Sequence, residues 1–594
     1  MKIRRLLSCL AARCAIAAAT AIAAAAAPAA EPSVLTFARV SEFVSMDPPQ
    51  AFDQTSDEVQ RQVFSTLLTY AYLERPYKLA PDLLESLPTL GADKLTLTFH
   101  LRKGVRFHDN ACFPGGKGRE MTTDDVLYSL KRYADARLNS KSWFAMEGAV
   151  VGLDAYRAAT AKAAAGVDLT RSDVAGLHKV DATTFTIKLT HENPLFLFSL
   201  TLASTAVVPV EAVQMYKDRI GVNPVGTGPF SLQGPVDRKA TLHFVRNPNY
   251  YRTYPVAGAP GDAEKGLLKD AGKRLPLVDA IDMPLIEESQ PAALKFLRGE
   301  IDWRGLDRAN FSKMVVRTPD GQFRLGDEFA SRFRIYWVVG TDEQFLQLNM
   351  KDPVLGGNKL LRQALASALD VQALIDTLFN GRERRVESIV PYDLPGSERE
   401  SGAVTNHHDL ARAKKLLADA GYPNGQGLPP ITILFPDTGA DEHNMFDLLR
   451  AQFAAAGVRL KGDFMDEPTF LKAVGGGNFQ VALYDWFADY PDPEEFFQLF
   501  ISKNVAPGPN YGDYSNPAYD KAYEAMRLMP NGPQRLDYIR AMNALIKDDV
   551  PVILVYDTMR FGVLQNWVGN FKRNLMLEEH MYLSVDMAAK KKGL

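Results

Sequence analysis

Cysteine is almost missing from this chain: three residues in 594, at positions 9, 14 and 112. Cys9 and Cys14 fall in a leader-like stretch, and Cys112 alone cannot form an internal disulfide, so no disulfide framework is expected. The lone thiol reads as a bystander rather than a nucleophile. H-E-x-x-H, G-x-S-x-G, a Walker phosphate loop and a paired C-x-x-C are also absent, which removes the kernels of the commoner metal, nucleophile and nucleotide chemistries. No fixed-period repeat occurs, which argues against an internal array. After residue 30 no apolar run approaches the roughly 20 residues of a helical membrane span. A basic excess is lacking too. The net charge is −3, and nothing points to a nucleic-acid partner.

What is present is an ordinary globular composition, 46% hydrophobic and 23% charged. A chain this long exceeds one core, so two or three domains are expected. Lys2, Arg4, Arg5 and Arg13 precede or interrupt an Ala-rich run to Ala27, followed by "APAA". This is the pattern of an export signal cleaved after Ala29. The run is weakly apolar and closed by Pro28, a poor anchor, and too little apolar sequence precedes "LLSC" for lipoprotein processing at Cys9. Cleavage removes four positive charges and no negative ones, taking −3 to −7.

Periodicity predicts a mixed α/β protein. "LTLTFHLR" places Leu95, Leu97, Phe99 and Leu101 on one face, and "TFTIKLT" repeats the alternation with Phe185, Ile187 and Leu189. The two are expected to share a sheet. Thr55 with Glu58, and Thr122 with Asp125, have capping-box spacing before apolar helical repeats. "DLARAKKLLADAGYP" reads as an amphipathic helix ended by Gly421 and Pro423. Gly/Pro-rich segments at 112–120 and 253–276 read as surface insertions. "GTGPF" at 226–230 is open to two readings, a phosphate cradle or a tight turn into a strand, and the missing amide of Pro229 favours the turn. His407 and His408 read as loop residues that cap and solvate the next helix rather than as a metal pair. His443 follows the strand "ITILF", where α/β proteins place ligand contacts.

The stretch "DWFADYPDPEEFF" sets acidic groups among aromatic rings. Each must keep its water or find a cation. Two readings stay open from residue type alone: Asp489 is a loop or ion-paired carboxylate, or it receives a positively charged ligand. Trp486 is core packing or a pocket wall. Asp492 and Glu494 read as surface-turn and helix-start residues.

The segments "YKLAPDLLESL", "LTFHLRKGVRFHD", "TTDDVLYSLKR", "NPVGTGPF", "RNPNYY", "LRGEID", "LRQALASALD", "ARAKKLLADAGYP" and "DWFADYPDP" occur in one order along the chain. In that order the sequence resembles the extracytoplasmic solute-binding proteins of dipeptide and oligopeptide ABC transporters, bacterial family 5. The resemblance implies an α/β, periplasmic-binding-protein-like two-lobed clamshell (type II), with three domains and a two-stranded hinge. Domain one would take 30–70, 209–338 and 558–594, domain two 71–208, and domain three 339–557. It also implies a periplasmic, non-enzymatic, monomeric carrier without cofactor or metal, which captures a peptide or peptide-like amine. The carrier would present its ligand to a membrane permease powered by a separate ATPase.

The resemblance assigns the ligand ammonium to Asp489; beside it the strand 481–488 is expected to pair its backbone with an extended peptide, Trp486 and Phe487 to shape pockets, and Asp485 to join the ligand contacts. The resemblance also assigns the opposite lip to Phe52–Ser56, including Gln54, and an aromatic contact near the ligand's amino end to Tyr556. The family's carboxylate-binding arginines have no counterpart: Leu483 occupies one position, and Asp437, Asp441 and Glu442 surround the other. His443 alone matches a carboxylate-side residue, so longer peptides or other amine-bearing solutes are expected rather than dipeptides. Two alternatives are a secreted hydrolase using carboxylates near Asp485 and Asp489, and a periplasmic receptor of the same fold.

Overall fold

The computed structural model describes residues 31–50, 53–164, 167–234, 236–402, 407–506 and 508–593. The predicted export signal and Phe52 lie outside them. Among the described residues no helix is long and apolar enough to cross a membrane.

Three larger sheets organise the chain. The first has four strands, in the order Val34–Thr36, Ala280–Met283, Leu242–Arg246 and Phe230–Gln233, with the first pair parallel. The second is antiparallel, in the order Thr89–Leu90, Thr96–His100, Thr184–Lys188 and Leu177–Lys179. Here the alternation in the sequence predicts the pairing correctly. Leu97 faces Ile187 and Phe99 faces Phe185, with the two phenyl rings stacked at 4.7 Å and fully buried. The helix Thr123–Ala134 packs on the same core and starts with the expected capping box of Thr122 and Asp125.

The third sheet is mixed and has seven strands. Its main path runs Trp303–Gly305, Val552–Gln565, Phe333–Leu348, Val481–Phe487, Ile431–Phe435 and Leu460–Phe464, and Arg384–Arg385 pairs off the path with 552–565. The 16-residue strand 333–348 and the 14-residue strand 552–565 lie antiparallel over most of their lengths, with register shifts between Val339 and Glu343 and again between Gln344 and Phe345. On one side of the shifts, Phe333, Phe561 and Val563 pack with Phe311 and Phe329. On the other, Leu346, Leu348, Ile553 and Val555 pack with the helices Lys359–Ala368 and Ala440–Ala456. One strand pair therefore runs between two separate cores, and its pleat is interrupted where the cores change.

Several local expectations need correction. The helix predicted to begin at Thr55 spans Gln54–Val63 and is capped by Asp53, whose carboxylate accepts from Ser56 N at 2.8 Å. A competing cap two residues earlier takes the role, and Thr55 turns to Ser41 instead. The segment 253–276 is no loose surface insertion: Tyr254, Leu267 and Leu275 are buried in an aromatic-rich core, and Asp262 pairs with Lys572 at 2.7 Å. The helix after His407 and His408 is capped by Asp409, not by a histidine. In "GTGPF", a side chain at Gly228 would place its Cβ 2.4 Å from the Val63 carbonyl carbon, so the glycine permits a close approach of two backbones.

Cys112 is half-buried, and burial pushes its thiol up to about 11. We expect it to react with a disulfide reagent at pH 7.5 at least about tenfold more slowly than free cysteine, because little thiolate forms there. The rate should climb with pH through 9. Rapid labelling at neutral pH would contradict this.

Candidate functional site

Strands 431–435 and 481–487 run parallel, so Phe435 and Phe487 end at the same edge of the third sheet. The chain leaves one into the loop 436–439 and the other into 488–493. This is the carboxyl end of parallel strands, where open α/β sheets leave a crevice.

Register brings distant residues into rows across this end. Asp485 pairs with Gln344, which pairs with Tyr556, which pairs with Arg385. Trp486, Glu343, Asp557 and Arg384 form the adjacent row, one residue along each strand and so on the opposite face. In that second row Arg384 donates to Asp557 at 2.6 Å and also binds Glu398. Glu343 is buried nearby, and burial with the Asp557 charge raises its carboxyl well above the usual range. Burial also pushes Asp557 up to about 8. One guanidinium serves three carboxyls, and burial favours the protonated forms of Glu343 and Asp557.

The acidic run after Phe487 divides sharply. Asp492 is 3% exposed and bound by both Arg535 Nη atoms at 2.6 and 2.8 Å, and it also accepts from Glu494 N. Glu494 is buried and accepts from the hydroxyls of Tyr490 and Tyr523. The reading of these two as surface residues is therefore wrong, although Glu494 does begin the short helix Glu494–Phe497. Glu495 is buried beside the Tyr490 hydroxyl and the Trp486 indole, with no ion pair among the described residues, and desolvation followed by the Asp489 charge raises its carboxyl well above the ordinary range.

Asp489 has no such partner, and neither Asp485 nor Glu495 has an ion pair among the described residues. Asp489 is half-buried and makes no hydrogen bond or ion pair among the described residues. Desolvation, the single cause, pushes its carboxyl up to about 6. The charges that feel it are Tyr70, from the strand Leu68–Tyr70, and Glu495. Tyr70, Phe198 and Tyr490 form a line of stacked rings, with centroids 6.5 and 5.3 Å apart, that joins the segments before residue 200 to the 488–493 loop. Sequence reading missed Tyr70 and Phe198, because no pattern links them to residue 490.

The other predicted residues take varied places. Phe487 is 60% exposed. Trp486 is half-buried against the aromatic core, its indole nitrogen facing the Glu495 carboxyl. Asp485 is reached by solvent yet walled on most sides, and burial followed by the Asp342 charge raises its carboxyl. Tyr556 packs edge-on against Phe379 at 4.9 Å. His443 is exposed in the first turn of helix 440–456, stacked on Phe464 at 3.9 Å. Two strand spacings, roughly 10 Å, separate the 460–464 strand beneath it from 481–487. Gln54 is exposed at the start of its helix.

Strand 481–487 does not offer a free edge along its whole length. One edge is paired with Asp342–Leu348 throughout, and on the other only Val481 and Ala482 are paired. Beyond them, Leu483–Phe487 keeps one edge open to a further strand.

Comparison with known proteins places this architecture. The model of the bacterial extracellular solute-binding proteins, family 5 (middle), matches residues 78–508. The dipeptide-binding protein of Escherichia coli strain K12 is 23% identical over 494 residues, covering 81% of each chain. Di/tripeptide-binding protein 3 of Pseudomonas aeruginosa strain UCBPP-PA14 is 24% identical over 561 residues, covering 91% of this chain and 94% of that one. Among solved structures, HbpA2 from Haemophilus parasuis superimposes with a TM-score of 0.75 at 20% identity, covering 93% of this chain and all of that one.

Proposed function

Since the chain belongs to the bacterial extracellular solute-binding proteins of family 5, we propose that it captures an amine-terminated oligopeptide or peptide-like solute in the periplasm. Asp489 receives the ammonium group, and the loaded form is handed to a membrane permease driven by a separate ATPase. The carrying observation is the leftover carboxylate. Asp492 and Glu494 are satisfied internally, whereas Asp489 is desolvated with no cation. A site that has given up water around a charge without supplying a counter-charge is completed by a ligand that brings one.

The rest of the assignment follows from position. The open edge of Leu483–Phe487 pairs with an extended ligand backbone, which gives affinity independent of side chains. Trp486 and Phe487 wall pockets on the two faces of the strand, Asp485 and Tyr556 share the face of Phe487, and His443 stands toward the ligand's far end. The lip Phe52–Ser56, with Gln54, closes from the other side. Domain one takes 30–70, 209–338 and 558–594, domain two 71–208, and domain three 339–557, with the strand pair 333–348 and 552–565 as the hinge. The protein works as an exported monomer. Its relatives are solute-binding proteins, so the hydrolase reading gains nothing from the comparisons, and a receptor role would use the same cleft.

This site predicts a pH dependence with a definite sign. The ligand ammonium and a proton compete for one carboxylate, whose ligand-free pKa is about 6. Affinity should be level from pH 7 to the ammonium's own pKa, then fall about tenfold per pH unit below 6. Calorimetric titration with a tetrapeptide at pH 5, 6 and 7 checks it. A flat profile would remove Asp489 from the ammonium site.

A further inference from the structure

Helix Gln54–Val63 and the C-terminal segment bring together two carboxylates and an imidazole that the solute site does not use. Glu58, Glu578 and His580 each offer a ligand atom, all within 4.8 Å of one another. The His580 ring is fully buried and stacked on Phe37, with centroids 3.8 Å apart and planes 9° from parallel. Its Nδ1 is 3.1 Å from Gln62 Nε2 and 3.8 Å from Glu578 Oε2. Its Nε2 lies 3.8 Å from Glu58 Oε1 and has no hydrogen-bond partner among the described residues. The two glutamate side chains keep 20% and 16% exposure, which leaves an approach from solvent.

The cations around this trio are already taken. Arg61 is engaged by Asp57 at 2.5 Å and Arg573 by Glu579 at 2.7 Å. Each guanidinium has its own carboxylate, and Glu58 and Glu578 have no cation of their own among the described residues; burial favours their protonated forms, and a bound cation would displace those protons. Imidazole with two carboxylates, and room for water in a further position, is a donor set suited to zinc and neighbouring transition ions rather than to magnesium or calcium. Ligands sharing a tetrahedral ion at about 2.0–2.1 Å stand about 3.3 Å apart, so the 3.8 Å between Nε2 and Glu58 must contract by roughly half an ångström, and Glu578, which now lies on the Nδ1 side, must swing toward Nε2 from within the 4.8 Å span of the trio. A metal on Nε2 needs the proton on Nδ1, and Gln62 can accept it only by turning its amide and giving up the 2.8 Å bond that its Nε2 donates to the Glu58 carbonyl.

We propose that Glu58, Glu578 and His580 form a binding site for one divalent transition-metal ion. The ion ties helix 54–63 to the C-terminal segment.

The test uses the mature, tag-free chain after dialysis against a chelator, titrated with Zn2+ by calorimetry and with Co2+ by visible absorption. One equivalent should bind at micromolar or lower concentration, with Co2+ giving the ligand-field bands of an imidazole-containing site. Glu58→Gln and Glu578→Gln should each weaken binding at least tenfold, and His580→Gln should abolish the bands. Because His580 is buried, circular dichroism must show that its variant folds; if it does not, the two glutamate variants decide. A His407→Asn/His408→Asn variant should bind as the parent does. No binding, or binding that survives Glu58→Gln and Glu578→Gln but is lost in the His407/His408 variant, overturns the proposal.

Discussion

Replacing Asp489 by Asn should weaken binding of an amine-terminated tetrapeptide by about 100-fold or more, while an N-acetylated analogue binds the parent and the variant alike. Truncating one partner of a buried, hydrogen-bonded charge pair costs about 2–5 kcal/mol, and about 1.4 kcal/mol is tenfold in affinity. Here the free protein gains from the change. The Asp489 carboxylate is held out of water without compensation, so the ligand-free variant should be as stable as the parent or more so. Loss of affinity without loss of stability separates a ligand-binding carboxylate from a structural one. The double-mutant comparison, Asp or Asn against free or acetylated amine, isolates the pair itself. Equal affinities in all four combinations would end the assignment of Asp489.

Arg535→Met should have the reverse character. Removing the guanidinium strands Asp492 in a 3% exposed position with no other cation, and breaking a buried pair from one side costs about 3–5 kcal/mol. The midpoint of denaturant unfolding should fall accordingly, and the 488–493 loop that carries Asp489 should loosen with it. The double change Asp492→Leu/Arg535→Met should recover most of the loss, since two apolar groups of similar bulk leave no buried charge behind. A single variant as stable as the parent would mean that water reaches Asp492 and that the pair is not a structural support of the site.

These two carboxylates stand three residues apart in one sequence motif and answer to different physics. Nothing in "DYPDPEEFF" says which acid is free. The decision is made by Arg535, 43 residues further on, and by Tyr523, 29 residues beyond Glu494. Likewise Arg384 reaches Asp557 across 173 positions, and His580 meets Glu58 from the far end of the chain. A helix or strand announces itself through neighbours at fixed spacing, whereas a charge is satisfied through space. The sequence was accordingly reliable for the paired strands 96–100 and 184–188 and for the capping box at Thr122. It failed for the helix start at Asp53, where two caps lay within three residues. It failed also for 253–276, where Gly and Pro concealed three core side chains.

From the order of residues alone came the α/β class, the family, the absence of a disulfide framework and the short list of acids from which a ligand contact had to be chosen. Each rests on local periodicity or on motifs readable within a dozen residues. Only the folded chain decided that Asp489 has no partner among the described residues while Asp492 and Glu494 have theirs, that strand 481–487 is open on one edge past Ala482, and that two glutamates meet a buried histidine. Those facts depend on which groups lose water together and which find a counter-charge, and that is settled by packing between segments far apart in the chain.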